Sequence, residues 1–472
     1  MTGQPRRASR SSRRRWLWVA AALGVGFALH FFLDPSSEMV GPSLSEAPAA
    51  PPAATPPTPL TPGDAAVPET SHPAEVPASL ASLSLSQLQE GFCAADDAKA
   101  LRTHHSLRNR LAEEANRRRG IRGAFDPEET GLLRRALAEP PPDWAEVLRR
   151  AETLSSERSD SPWPPAVLAL AAHATGDPAR ELEALRSARA RLPHDAALGL
   201  ALALLARDQP DVDEAIEGLK DFLAVEPAAT AARLLARLEV QRDVQRSYAR
   251  RTLGGVTLVF PPETVSSAQA EEALNAVARA LDDAATLLGV PRPRTLTAVV
   301  YPSRSELLAV SCAPTWAEGM YDGTLRLVAG RGGVVRTGDV RHEALHAVMT
   351  PLALDAPTWF HEGLAQYFAG DEARARSKWR LMVRDRVWIP FASLDGSFSP
   401  MSGADAELAY SQSLGLVELV RETCGPRSLA ALLAAFRARA TTTDEALSQA
   451  CSGRPPNGEA LLEFLQRRLA SK

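Results

Sequence analysis

The sequence predicts an α+β fold, with a mainly helical N-terminal part followed by a part in which strands and helices alternate. Helical periodicity dominates residues 80 to 245, and strand-like alternation is scarce there. Short runs rich in β-branched residues, at 255–260, 295–301 and 324–329, then appear between longer amphipathic stretches. Two further helical stretches follow, and both carry histidine and glutamate.

A chain of 472 residues exceeds what one core usually fills, so two folded domains plus tails are expected. The 53 Lys and Arg against 57 Asp and Glu give a formal net charge of −4, which argues against nucleic acid as a partner. Arg outnumbers Lys and Ala is abundant, a pattern of GC-rich bacterial genomes.

Residues 1–15 are a basic tail holding Arg6, Arg7, Arg10, Arg13, Arg14 and Arg15, and residues 16–33 are an apolar run. Eighteen residues at about 1.5 Å each span roughly 27 Å, enough for a bilayer core. No Lys or Arg follows until Lys99. This asymmetry predicts a cytoplasmic tail, a transmembrane signal anchor over 16–33 and a single-pass topology in a bacterial cytoplasmic membrane. The folded part would then lie on the periplasmic or extracytoplasmic side. No small-x-small cleavage site clearly follows the run, which favours an uncleaved anchor. Residues 34–79, rich in Pro and Ala, cannot bury enough apolar surface to offset their ordering entropy and read as a disordered linker.

Residues 80–247 read as a helical module. Gly176-Asp177 recurs as Pro210-Asp211, and Leu192-Pro193 as Glu226-Pro227, each pair 34 residues apart with two apolar helices per unit. This resembles tetratricopeptide repeats, with the aromatic signature positions largely missing. The resemblance implies either a surface for a peptide or protein partner or a rigid spacer carrying the C-terminal domain.

Residues 248–472 form the second domain. A strand over 255–260, a helix over 267–288 stopped by Gly289, a strand over 295–301, a helix over 303–310 and a strand over 324–329 come in order. The next helix carries Arg341-His342-Glu343-Ala344-Leu345-His346, with Thr337 or Asp339 as its cap and Pro351 as its stop. Residues four apart share a helical face, so His342 and His346 can offer two imidazole nitrogens to one zinc ion, with Glu343 beside it as a base. A catalytic zinc site needs a third protein ligand and an open position. The following helix, with Pro357 at its start and Gly370 at its end, carries Trp359-Phe360-His361-Glu362-Gly363-Leu364-Ala365. His361 and Glu362 are both chemically able to bind zinc, but neighbouring helical positions differ by about 100° and cannot both face the site.

The order HExxH, about fifteen residues, then W-F-x-E-G-L-A-x-Y resembles the gluzincin branch of zinc metallopeptidases, in particular bacterial peptidase-MA-like domains. The gap before the third ligand is shorter than in thermolysin-type gluzincins, which sets the chain apart from that subgroup. The resemblance implies a zincin-like domain over 248–472, Zn2+ as cofactor and Glu362 as the third ligand. It also implies that Glu343 is the general base for peptide-bond hydrolysis and that Tyr410, in a helix it opens, donates to the oxyanion. A further implication is that the strand before the metal helix, residues 325–328, pairs with an extended substrate backbone. Gln366, four residues past Glu362, shares its face and is placed to orient a ligand imidazole.

The four cysteines, Cys93, Cys312, Cys424 and Cys451, show no CxxC spacing. Cys424 and Cys451 bracket two helical segments, 428–439 and 444–450, and are expected to pair as a disulfide. The functional expectation is a membrane-anchored zinc-dependent peptidase acting on a peptide or protein substrate. The alternative is a catalytically inactive TPR-like interaction or scaffold protein with a vestigial metallopeptidase domain.

Overall fold

The computed structural model describes residues 103–470 apart from 120–124, 140, 315–316, 354–355, 439–441 and 452–457, and among the described residues eight helices come first. They are α1 (Thr103–Arg117), α2 (Pro127–Ala136), α3 (Trp144–Glu157), α4 (Trp163–Ala174), α5 (Pro178–Arg191), α6 (Ala196–Ala206), α7 (Asp213–Val225) and α8 (Ala229–Val244). Asp126, Asp143, Asp177 and Asp195 each cap the helix that follows them by accepting from its unpaired first-turn amides. Consecutive helices pack on one another, and α4 and α6, apolar nearly all round, fill the middle of their core.

A five-stranded sheet comes next, with β1 (Ala249–Leu253), β2 (Val256–Phe260), helix α9 (Ser267–Leu288), β3 (Leu296–Tyr301), helix α10 (Arg304–Val310), β4 (Gly319–Tyr321) and β5 (Leu325–Val328). Its order is β1-β2-β3-β5-β4; β2, β3 and β5 run parallel, and the two outer strands pair antiparallel. The strand alternation sends side chains to two different cores. Val256, Leu258, Ala298, Val300, Leu325 and Leu327 face α9 and the helix after β5, whereas Val259, Val299, Tyr301 and Val328 face Val240 and Val244 of α8 and Leu307 and Val310 of α10. The last of the eight leading helices therefore covers one face of the sheet.

The C-terminal part is helical again: α11 (Thr337–Met349), α12 (Thr358–Ala369), α13 (Glu372–Asp385), α14 (Phe391–Leu394), α15 (Gly403–Cys424), α16 (Ser428–Arg437), α17 (Thr443–Ala450) and α18 (Gly458–Ala470). α12 lies between α11 and α15. Cys424, ending α15, and Cys451, just past α17, form a disulfide with Cα atoms 4.9 Å apart, as the bracketing of the hairpin predicts. The fold is α+β, a helical region joined to a zincin-like domain with a small mixed sheet.

Three expectations are corrected. The first is the membrane anchor, and with it the single-pass topology, the membrane as a partner and the extracytoplasmic placement. Among the described residues no helix is long and apolar enough to cross a membrane. The most apolar, α6, has 11 residues, so it spans only about 16 Å of the roughly 30 Å needed. The 22-residue helices α9 and α15 are long enough but carry several charges. The run 16–33 itself, with the tail 1–15 and the linker 34–79, lies outside the described residues.

The second correction concerns the substrate-facing strand. β5, residues 325–328, is flanked on both sides, by β3 and by β4, so its backbone groups are already paired; the free edge belongs to β4. The third concerns Tyr410, which does not open its helix. α15 starts at Gly403, where Ser402 caps it by accepting from the Asp405 amide, and Tyr410 stands two turns inside.

Candidate metal centre

Helix α11 buries Val340, Ala344, Leu345, Ala347 and Val348 in the core, which leaves His342 and His346 on the opposite side, one turn apart. Their Nε2 atoms are 3.2 Å apart. Helix α12 starts at Thr358, with Pro357 at the N-cap in extended conformation, and buries Trp359, Phe360, Leu364 and Phe368. Arg341 ties the two helices by donating from Nε to the Phe368 carbonyl at 2.7 Å, and its guanidinium stacks on the Phe368 ring at 4.0 Å. On its other side α12 presses against α15 at Gly363, where a Cβ would lie 2.3 Å from the Ser413 carbonyl oxygen. Only glycine permits that approach, and it sets where the preceding residue points.

That residue is Glu362. Its Oε2 lies 3.3 Å from His342 Nε2 and 3.4 Å from His346 Nε2, so His342, His346 and Glu362 form a cluster of three candidate ligand atoms. Zinc holds tetrahedral nitrogen and oxygen ligands at roughly 2.0–2.1 Å, which puts neighbouring ligand atoms about 3.3 Å apart. The three observed separations match that edge length. Glu362 Oε2 is also a buried acceptor with no hydrogen-bond donor directed at it, although both imidazoles are in contact. Burial alone would raise the Glu362 carboxyl, but His346 and His342 hold it well below the usual carboxylate range. The donor set and its spacing fit a zinc-sized cation.

Residues 323–453 match the model of the Peptidase MA superfamily. The match runs from the turn before β5 to just past Cys451, and includes the cluster, Glu343 and Tyr410. It leaves out helices α1–α8, and it spans well under half of the chain. No curated protein matches the chain.

Glu343 sits beside the cluster, only 6% exposed. Burial pushes its carboxyl up to about 8; Glu362 and Asp339 add to the rise and His346 offsets part of it. Strand β4 passes close by, and a Cβ on Gly319 would lie 2.9 Å from Glu343 Oε1. The cluster opens into a cleft of about 760 Å³, with β4 on one side and α13 and α15 contributing Lys378 and Tyr410.

The other expected residues lie around the cluster. Tyr410 hydrogen-bonds Glu362, its ring centroid is 6.5 Å from that of His342, and Phe398 packs edge-on against it at 5.4 Å. Burial pushes its phenol well above the ordinary value, and the Glu362 and Glu343 carboxylates add to this. His361 is not one of the three: its Nε2 donates to the Ala353 carbonyl at 3.1 Å, and its ring stacks on His346 at 6.2 Å. Burial lowers its pKa to about 4, His346 adds to this and Glu362 opposes it, so it is neutral at pH 7. Gln366 is buried and lines the cleft, but among the described residues no hydrogen bond joins it to His342 or His346. Sequence reasoning missed Gly319 and Phe398. The first lies in a three-residue strand without alternation, and the second in a segment with no helical or strand period.

Proposed function

We propose that this chain is a zinc-dependent peptidase, with His342, His346 and Glu362 as metal ligands and Glu343 as the general base. The observation that carries the reading is the spacing of the three ligand atoms, near the edge length of a zinc tetrahedron, with a buried carboxyl beside them. When bound, zinc supplies Lewis acidity that polarises a carbonyl and lowers the pKa of a water toward 7.

Glu343 accepts the proton of the attacking water on its carboxylate and delivers it to the leaving amine. Tyr410, whose phenol stays protonated, turns its O–H from Glu362 to the developing oxyanion and donates there. Strand β4 offers a free edge along the cleft, and an extended peptide adds to it by main-chain hydrogen bonds. His361, held neutral and bonded to Ala353, keeps the space behind His346 closed without competing for the cation.

The helical part, 80–247, is on this reading a TPR-like module, and 248–472 is the catalytic domain. The reading is tested by metal analysis together with cleavage of an unstructured protein such as casein. One equivalent of zinc per chain and cleavage lost in Glu343→Gln support it. Zinc-loaded protein whose Glu343→Gln variant cleaves as fast as the wild type would overturn it.

A further inference from the structure

The loop between α6 and α7 reaches across from the helical part to the sheet. Thr297 Oγ1 of β3 donates to the Asp208 carbonyl at 2.6 Å, and Arg250 Nη2 of β1 donates to the Pro210 carbonyl at 2.9 Å. The Asp208 carboxylate itself rests on Gly323, in the turn joining β4 to β5. A Cβ there would lie 2.5 Å from Asp208 Cγ, Oδ1 and Oδ2, and the Gly323 φ of +107° is one that side chains rarely adopt. Backbone conformation and close packing both require glycine at this turn.

Around that seat is a buried charged network that spans both parts of the chain. Arg326 of β5, 2% exposed, donates from Nη1 to Tyr301 Oη at 2.6 Å, from Nη2 to Gln241 Oε1 of α8 at 3.1 Å and from Nε to Asp322 Oδ1 at 3.1 Å. Gln245 Nε2 donates to the same Tyr301 oxygen at 3.0 Å. Arg207 Nε stands 3.5 Å from Asp208 Oδ1, and Arg237 adds a third guanidinium to the field at Asp208 and Asp322. Asp322, bonded to Arg326, directly follows Tyr321, the cleft-lining last residue of β4, so the network adjoins that strand. Two residues earlier on the same strand, Gly319 lies against Glu343.

We propose that Asp208, in the helical part, is a positioning residue for the cleft: by seating its carboxylate on Gly323 it fixes the β4–β5 turn, and with it the edge strand that lies against Glu343. The consequence for peptide binding rests on the peptidase reading; the consequence for the strand does not. Asp208 is far in sequence from both metal helices, so its loss moves β4 while leaving the His342, His346 and Glu362 cluster in place.

The test uses the full chain as wild type, Asp208→Ala and Asp208→Asn. Amide hydrogen exchange, followed by mass spectrometry, should quicken over residues 317–328 in Asp208→Ala by on the order of tenfold, with residues 337–369 unchanged. Zinc content and kcat on labelled casein should hold while KM rises by on the order of tenfold, a split that general loss of folded protein would not produce. Asp208→Asn keeps the shape of the seat without its charge; it should move both readouts in the same direction by less, and it decides the matter if the alanine variant does not fold. Exchange over 317–328 that is unchanged, or that quickens equally over 337–369, overturns the proposal. A wild-type protein that binds zinc yet cleaves no casein would remove the peptidase reading, and the exchange result would still decide the role of Asp208.

Discussion

Gly363 and Ser413 are in direct backbone contact: the space a side chain would occupy at Gly363 is filled by the Ser413 carbonyl oxygen, 2.3 Å from where a Cβ would sit. α12 thus packs backbone to backbone against α15 at this point, with Val417 Cγ2 alongside at 2.9 Å from the same position, and Glu362 is one residue earlier.

Gly363→Ala should therefore push α12 off α15. Forcing a methyl into a packed interface costs about 1–3 kcal/mol, and a shifted carboxylate should weaken zinc binding on the order of ten- to a hundredfold. Urea unfolding and competition titration against a chromogenic chelator measure the two effects. A variant with unchanged stability and unchanged affinity would show that the contact does not set the ligand.

Glu362 and His361 separate cleanly by metal content. Glu362→Ala should lose most of its zinc on dialysis, on the order of a hundredfold in affinity, because the remaining two imidazoles lack the anionic ligand. His361→Ala should retain close to one equivalent, because its Nε2 is already committed to the Ala353 carbonyl. The reverse pattern would exchange their roles.

How far the sequence foretells this site depends on whether the information is local. Four-residue spacing on one helix is enough to put His342 and His346 on a common face, and the limits of α9 were legible because Ser266 and Gln269 form a capping box and Gly289 ends the helix in the left-handed conformation. Choosing between His361 and Glu362 was not a local matter, since it turns on how closely α12 approaches α15. β1 went unread because four of its five residues face solvent and show no alternation, and β4 because three residues make no pattern. The edge role of 325–328 was what the resemblance implied, and it falls to β4 because that short strand pairs outside β5.

The stability of the metal-free protein should fall with acid, in part through His361. Its pKa is lowered from 6.5 to about 4 in the folded chain, so between those values the unfolded chain binds a proton that the folded chain does not. Stability therefore rises with pH across that window and is fully present above it. His361→Asn should flatten the difference between urea midpoints measured at pH 5 and pH 7. An equal pH dependence in the two proteins would place the sensitivity elsewhere.

The Cys424–Cys451 bond closes a loop of 27 residues. In the chain-entropy model, opening it should cost about 3 kcal/mol. The double variant Cys424→Ser, Cys451→Ser should unfold at correspondingly lower urea concentration, with zinc content unchanged because the cysteines are not ligands. Loss of less than about 1 kcal/mol would mean that packing of α16 and α17 already holds the ends together.

The sheet with a helical layer on each face has a consequence for how this molecule can be taken apart. The matched segment, 323–453, starts inside the β4–β5 turn, so excising it would keep β5 but discard both of its hydrogen-bonding neighbours. It would also strip α9 from one side, leaving Leu325 and Leu327 covered by α11 alone, and α8 and α10 from the other, exposing Val328. Such a fragment carries every residue of the metal cluster and yet lacks four of the five strands on which α11 is seated. The smallest autonomous piece has to begin no later than α8, upstream of the first strand.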